Sequence, residues 1–139
     1  NTDQGIMWRA VLEAIGYDYI YVADMYRKAG CNLDRIVVTE GGSKSSLWNQ
    51  IKADMLGSEV VTLENVEGAV LSDAILAAYA VGDIHDLKKA LLDVVKVKKV
   101  YTPNKENTKF YREMFKIQQQ IIRNAMKSVF NQLEKMRSL

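Results

Sequence analysis

Apolar residues recur in steps of four and three along the first part of the chain: Trp8, Leu12, Ile15, Tyr19, Val22 and Tyr26. That spacing lines one face of a helix and predicts an amphipathic helix from Thr2 or Asp3 to Ala29. Gly16 inside it costs about 1 kcal/mol against Ala, which points to close packing at that position. Lys28 and Gly30 read as its end.

Shorter elements follow. Residues 35–39, "RIVVT", are a β-branched run that reads as a buried strand. Ser45 or Ser46 can cap a second helix, whose apolar side holds Leu47, Trp48, Ile51 and Met55, and Gly57 stops it. "EVVTL" (59–63) predicts a second strand. Asn65 can cap a third helix through Ala80, rich in small residues (Ala69, Ala74, Ala77, Ala78), which Gly82 ends. A short fourth helix starts between Asp83 and Asp86. Residues 95–101 alternate only in part and read equally as strand or loop. Pro103 and Asn104 form a turn, and Asn104 can cap a last helix running towards Arg137. That helix carries a stripe of Phe110, Met114, Ile117, Ile121, Met126, Val129, Leu133 and Met136. The stripe fits packing on its own domain, with a partner surface as the alternative. Strands alternating with helices predict an α/β layer with parallel pairing. Two or three strands make a thin sheet, so a β-rich portion is expected upstream. The chain, which begins without an initiator Met, reads as a piece of something longer.

Composition narrows the chemistry. The 139 residues suit one domain, and a formal net charge of +2 gives no strong field for nucleic acid or membrane. Cys31 is the only cysteine, so no internal disulfide forms, which suits a cytoplasmic location. His85 is the only histidine, which argues against a zinc cluster or a histidine-based triad. It reads as a cap or surface residue. No apolar run approaches the ~20 residues of a membrane span. Glu13 and Asp18 stand five apart on the first helix and share no face for acid–base work. Asp54 reads as the partner of a backbone group or a lysine rather than of a metal. Tyr17, Tyr19, Tyr21 and Tyr26 read as packing, since a base-stacking platform would want basic residues among them.

The stretch with most chemical content is the join of the first strand to the second helix, "TEGGSKSSLWNQIKA" (39–53). A helix start after a strand presents unpaired N–H groups and the positive end of the helix dipole, a seat for phosphate or the polar edge of a nucleotide. Gly41 and Gly42 let a ligand approach the backbone. Ser43, Ser45 and Ser46 add hydroxyls. A tight strand-to-helix connection with a serine cap would use the same residues. "SKS" (43–45) imitates the end of a phosphate-loop motif, but Val38 and Ser43 stand where that motif needs glycine. The G-x-G-x-x-G dinucleotide pattern is also absent.

Together with "RAVLEAIGYD" (9–18) and "EGAVLSDAILAAYAVG" (67–82), the stretch "EGGSKSSLWNQIKADMLGSEVVTLE" (40–64) resembles the C-terminal domain of the FGGY carbohydrate kinases, most of all their xylulokinase branch. The likeness spans about residues 5 to 120. Gly41, Gly42, Lys44, Ser45, Leu47, Trp48, Gln50, Ala53 and Asp54 match the family's nucleotide loop in register. The resemblance implies a partial actin-like, ribonuclease-H-like α/β fold: parallel strands, flanking helices and a long C-terminal helix. It implies that residues 1–139 are the nucleotide-binding C-terminal portion of a sugar kinase whose sugar-binding domain lies elsewhere. The full protein would move the γ-phosphoryl of ATP, with Mg2+, onto a sugar hydroxyl. The sugar partner would be D-xylulose, giving xylulose 5-phosphate, or alternatively gluconate, ribulose, rhamnulose or glycerol. By position, Gly41, Gly42 and Ser43 would contact the nucleotide, with Ser46 near its adenine side. The catalytic base and the sugar contacts would precede this segment, so the chain alone is expected to be inactive. A homodimer fits this picture. A non-catalytic binding or assembly module of the same fold is the reading from another class. The sequence departs from the family's pattern at Glu40, which replaces a glycine, at Ala14 within "EAI" (13–15), and at "SDA" (72–74).

Overall fold

The computed structural model describes residues 3–64 and 68–137. The expected cap Asn65 lies outside the described residues. Helix α1 spans Gln4–Lys28 and is capped by Asp3, whose carboxylate accepts the Ile6 N–H at 2.8 Å. Strand β1 (Arg35–Val38) follows, then a 3₁₀ turn (Gly41–Ser43) and α2 (Ser46–Leu56). Strand β2 (Glu59–Leu63), α3 (Gly68–Ala80), α4 (Leu87–Val94), β3 (Val97–Tyr101) and α5 (Lys105–Arg137) complete the order.

The sheet runs β1-β2-β3. As expected for strands joined through one helix, β1 and β2 pair in parallel, with Ile36 opposite Val60 and Val37 opposite Val61. The ambiguous residues 97–101 are a strand, but an antiparallel one, with Tyr101 opposite Val60. The connection explains the difference. One helix carries the chain back to the end of the sheet where β1 began; two in succession, α3 and α4, bring it again to the end where β2 finished.

Helix α2 sits between the sheet and a pair of helices. On one side Ala53 packs with Val60, Tyr101 and Val38; on the other, Trp48, Ile51 and Met55 cluster with Leu12 and Ile20 of α1 and Tyr111 of α5. Being covered on both sides, it is buried at Trp48, Asn49 and Ile51 through Leu56. Leu47, expected on its apolar side, is instead exposed. Gly57 ends the helix in the left-handed region, φ 63°.

The face α1 buries meets the expected one at Leu12 and Gly16 and otherwise differs from it. Leu12, Gly16, Ile20 and Ala23 are buried, whereas Trp8, Ile15, Tyr19, Val22 and Tyr26 are exposed. Two of the four buried positions are small, which lets the α1 backbone approach α2. The larger side chains fall to the rim, where Tyr19 still reaches the Trp48 ring at 5.8 Å between centroids. The packing role expected of Tyr21 and Tyr26 is likewise not met, for both are more than half exposed.

Helix α5 also docks by a face other than its apolar stripe. All eight stripe residues are exposed, and Tyr111 is the buried one. Tyr111 and Phe115 lie one residue beyond Phe110 and Met114, so the docked face is rotated from the stripe. Tyr17 stacks on Phe115, and the Tyr111 hydroxyl donates to Glu13 at 2.6 Å while accepting from Arg9 at 3.1 Å. Burial, reinforced by Glu13, pushes the Tyr111 phenol up to about 12. Arg112 donates to both Asp24 oxygens at 2.7 and 2.8 Å.

Asp54 anchors the start of α5. Its carboxylate accepts the Asn104 N–H, the Asn107 amide and the Gln50 amide, each at 2.8 Å. The donors to Asp54 are thus one backbone N–H, as expected, and two side-chain amides in place of the expected lysine. Because Asp54 is buried, Asp54→Ala should leave these donors unsatisfied and cost about 3 kcal/mol. A urea midpoint that hardly moves would refute this. Among the described residues no helix is long and apolar enough to cross a membrane.

Candidate functional site

The turn between β1 and α2 begins with a strained residue. Glu40 has φ 60° and ψ −160° and is the one non-glycine residue with positive φ among those described. That region belongs almost entirely to glycine and costs another residue roughly 1–3 kcal/mol. Glu40→Gly should therefore stabilise the protein by about 1 kcal/mol, after the extra entropy of glycine in the unfolded chain is subtracted. A melting temperature raised by about 3 °C would show it; a lowered one would mean that the Glu40 side chain contributes more than its strain costs.

Gly41 and Gly42 follow, without positive φ. A Cβ at Gly41 would meet nothing within 4 Å, and one at Gly42 only the Lys52 Nζ at 3.8 Å. The protein's own packing thus does not require either glycine: Gly41 faces open space and Gly42 meets only the end of the Lys52 side chain at ordinary contact distance. The first amides of the 3₁₀ turn and of α2 lack partners inside their own helices. At α2, Ser45 is the cap: its Oγ accepts the Trp48 N–H at 3.2 Å. Ser46 is the first residue of the helix, and its Oγ accepts the Tyr101 hydroxyl at 3.1 Å.

Ser43 is turned inwards. It is buried, its hydroxyl donates to the Glu40 carbonyl at 2.7 Å, and its own carbonyl accepts the Asn49 amide at 2.7 Å. Beside it, the Lys52 ammonium donates to the Gly42 carbonyl at 3.0 Å and to Asn49 Oδ1 at 3.4 Å, 4.9 Å from the Trp48 ring centroid. Burial lowers Lys52 to about 8, so it remains largely charged at neutral pH. Asn49, Lys52 and Tyr101 were not singled out from the sequence. Only the presence of Asn49 and Lys52 one turn apart, beside the apolar Trp48 and Ile51, signalled the first two.

Cavities flank the turn. One of about 470 Å³ is mostly apolar, lined by Thr39, Glu40, Leu63, Ile75, Leu91 and Val94 among others. Another, about 210 Å³, is lined by Ser43, Lys44, Ser46, Lys98, Lys99 and Tyr101 together with β2. Among the described residues, no three His, Cys, Asp or Glu side chains converge as a metal site. Glu13 is engaged by Arg9 and Tyr111, and His85 is exposed where α3 joins α4.

This small sheet flanked by helices, with a glycine turn leading from its first strand into a helix, has the actin-like fold found in part of known sugar kinases. A xylulose kinase from Lactobacillus acidophilus superposes with a TM-score of 0.78 at 27% identity, over 94% of this chain and 26% of that one. A gluconate kinase from the same organism superposes with a TM-score of 0.77 at 27% identity, with the same coverage. The xylulose kinase of Staphylococcus epidermidis (strain ATCC 35984) is 32% identical over 117 residues, 84% of this chain and 24% of that protein. The sequence profile of the FGGY family of carbohydrate kinases, C-terminal domain, matches residues 1–81. This chain belongs to that family. It spans about a quarter of the length of these relatives.

Proposed function

We propose that this chain is the nucleotide-binding portion of an ATP-dependent sugar kinase, with D-xylulose as the acceptor. The observation that carries the reading is the open glycine turn at the head of α2, where neither Gly41 nor Gly42 is needed by the protein's own packing. Backbone amides and the positive end of α2 suit the ribose and phosphates, and the apolar cavity beside Thr39 and Glu40 suits a base. Gly41, Gly42 and Ser46 make the contacts. Ser43, whose hydroxyl is engaged with Glu40, shapes the turn instead. The xylulose kinases among the similar proteins support the ketopentose; the gluconate kinase supports a sugar acid as the next candidate.

ATP supplies the phosphoryl group. These residues hold and orient the nucleotide, and catalysis rests on positioning. Mg2+ finds no protein cage among the described residues, so no step is assigned to it. The acceptor hydroxyl and its base come from elsewhere in the full-length protein. Full-length protein should release ADP from ATP in proportion to added D-xylulose, while the 139-residue chain alone shows no sugar-dependent release. Turnover with gluconate but not D-xylulose would change the substrate. Turnover by the isolated chain would place a base within it and overturn this division of roles.

A further inference from the structure

Lys52 is the buried titratable group that this reading leaves without a task. It is 5% exposed, and it belongs to none of the ion pairs among the described residues. Its ammonium meets neutral acceptors and the face of Trp48. A buried charge with no opposite charge is a costly way to fill space, and an apolar side chain of similar volume would pack there at lower cost. Stability of α2 therefore does not account for it.

Both of its hydrogen bonds lead to the glycine turn. One goes straight to the Gly42 carbonyl at 3.0 Å. The other, at 3.4 Å, goes to the Oδ1 of Asn49, whose amide donates to the Ser43 carbonyl at 2.7 Å. Two side chains one turn apart on α2 thus grip two consecutive carbonyls. The turn needs such a hold, because it is entered through Glu40 in a conformation that persists only where its surroundings over-determine it. With the carbonyls fixed, the peptide planes on either side of Ser43 are fixed too.

We propose that Lys52 is a positioning residue: together with Asn49 it holds the Gly42 and Ser43 carbonyls against α2, so that the turn keeps its ligand-accepting shape before nucleotide arrives. The proposal rests on the reading of the turn as the nucleotide seat. A preorganised turn orders little on binding, so losing the hold weakens nucleotide affinity without touching the sugar.

The test uses the full-length protein, with ATP as the probe in titration calorimetry and in steady-state kinetics. Lys52→Met keeps the volume and removes the donor. It should raise the Kd and KM for ATP at least tenfold, leave the sugar KM within twofold, and leave the melting temperature unchanged or raised. Lys52→Arg, which keeps donors near the Gly42 carbonyl, should recover part of the loss; a purely space-filling role predicts the reverse order of the two variants. Asn49→Asp provides an independent arm. It keeps an acceptor for Lys52 but places a carboxylate against the Ser43 carbonyl, and it should also weaken ATP alone. Wild-type affinity for ATP in folded Lys52→Met and Asn49→Asp overturns the proposal and leaves the nucleotide seat standing. Failure of the folded wild-type protein to bind ATP at all overturns both.

Discussion

Gly16→Val should destabilise this protein by about 3 kcal/mol, although every helix-propensity scale favours valine over glycine. Gly16 is buried in α1, and a Cβ built on it runs into the Met55 sulfur, with Met55 Cε at 3.0 Å and Cγ at 3.8 Å. Met55 is flexible, but it is 0% exposed among Leu12, Ile20, Trp48, Ile51 and Tyr111. It can yield only by pushing α1 and α2 apart. That movement would loosen Leu12 and Ile20, the two large apolar residues α1 buries. Gly16→Ala separates the two effects: propensity gains about 1 kcal/mol and overpacking costs about 1–3, so the net change runs from about zero to a loss of about 2 kcal/mol, smaller than for valine. Ala14→Val, at an exposed position of the same helix, is the control and should be close to neutral. Adding Met55→Ala to Gly16→Val should recover part of the loss, because the two side chains compete for one space. Thermal or urea midpoints for the set decide the matter, and an unshifted Gly16→Val midpoint would mean that α1 and α2 are not packed as described.

The same glycine shows how much of the fold the sequence carried. Helix existence was legible because periodicity, the Ser45 cap and the stops Gly57 and Gly82 are local chemistry. Which face a helix buries was legible for α2, where Trp48, Ile51 and Met55 are buried as expected, but not for α5 and only in part for α1. Periodicity weights large apolar residues, so beside Leu12 it selected Trp8, Ile15 and Tyr19; close helix packing selects small ones, so the buried face includes Gly16, where close packing was expected, and Ala23, where it was not. The α5 stripe misled for a related reason: periodicity reports that an apolar face exists and is silent on what covers it. Strand β3 was half-legible because "VKKVY" has four exposed positions and one buried, Tyr101, leaving little alternation to read. At the turn, Gly41, Gly42, Ser43 and Ser46 were legible as a strand-to-helix loop with donors. Lys52 and Asn49 were not, since a lysine on a helix ordinarily reads as solvated, and only the sheet on one side of α2 and two helices on the other make this one buried.

Gly42→Val in the full-length protein should raise the KM for ATP at least tenfold, equivalent to about 1.4 kcal/mol of lost binding, while leaving the sugar KM and the melting temperature nearly unchanged. The argument is that the substitution is visible only to a ligand. Gly42 does not adopt positive φ, so valine meets no backbone penalty of the kind Glu40 bears. Its Cβ would find a single neighbour, the Lys52 Nζ at an ordinary 3.8 Å, and the residue is exposed. The fold therefore offers the Cβ no close contact, and the exposed position leaves room for the branches to turn away from Lys52. A nucleotide lying against the turn opposes the substitution, because a branched side chain would hold ribose or phosphate away from the amides at the head of α2, and those interactions fade within the first turn of a helix. Gly41→Ala is the graded companion: its Cβ also meets nothing within 4 Å, and one methyl should raise the ATP KM by a smaller factor. The pattern separates this reading from a structural role for the glycines, which would lower stability and spare the ATP constant in whatever protein remained folded. A folded Gly42→Val protein with an unchanged ATP KM would remove the turn from the nucleotide site.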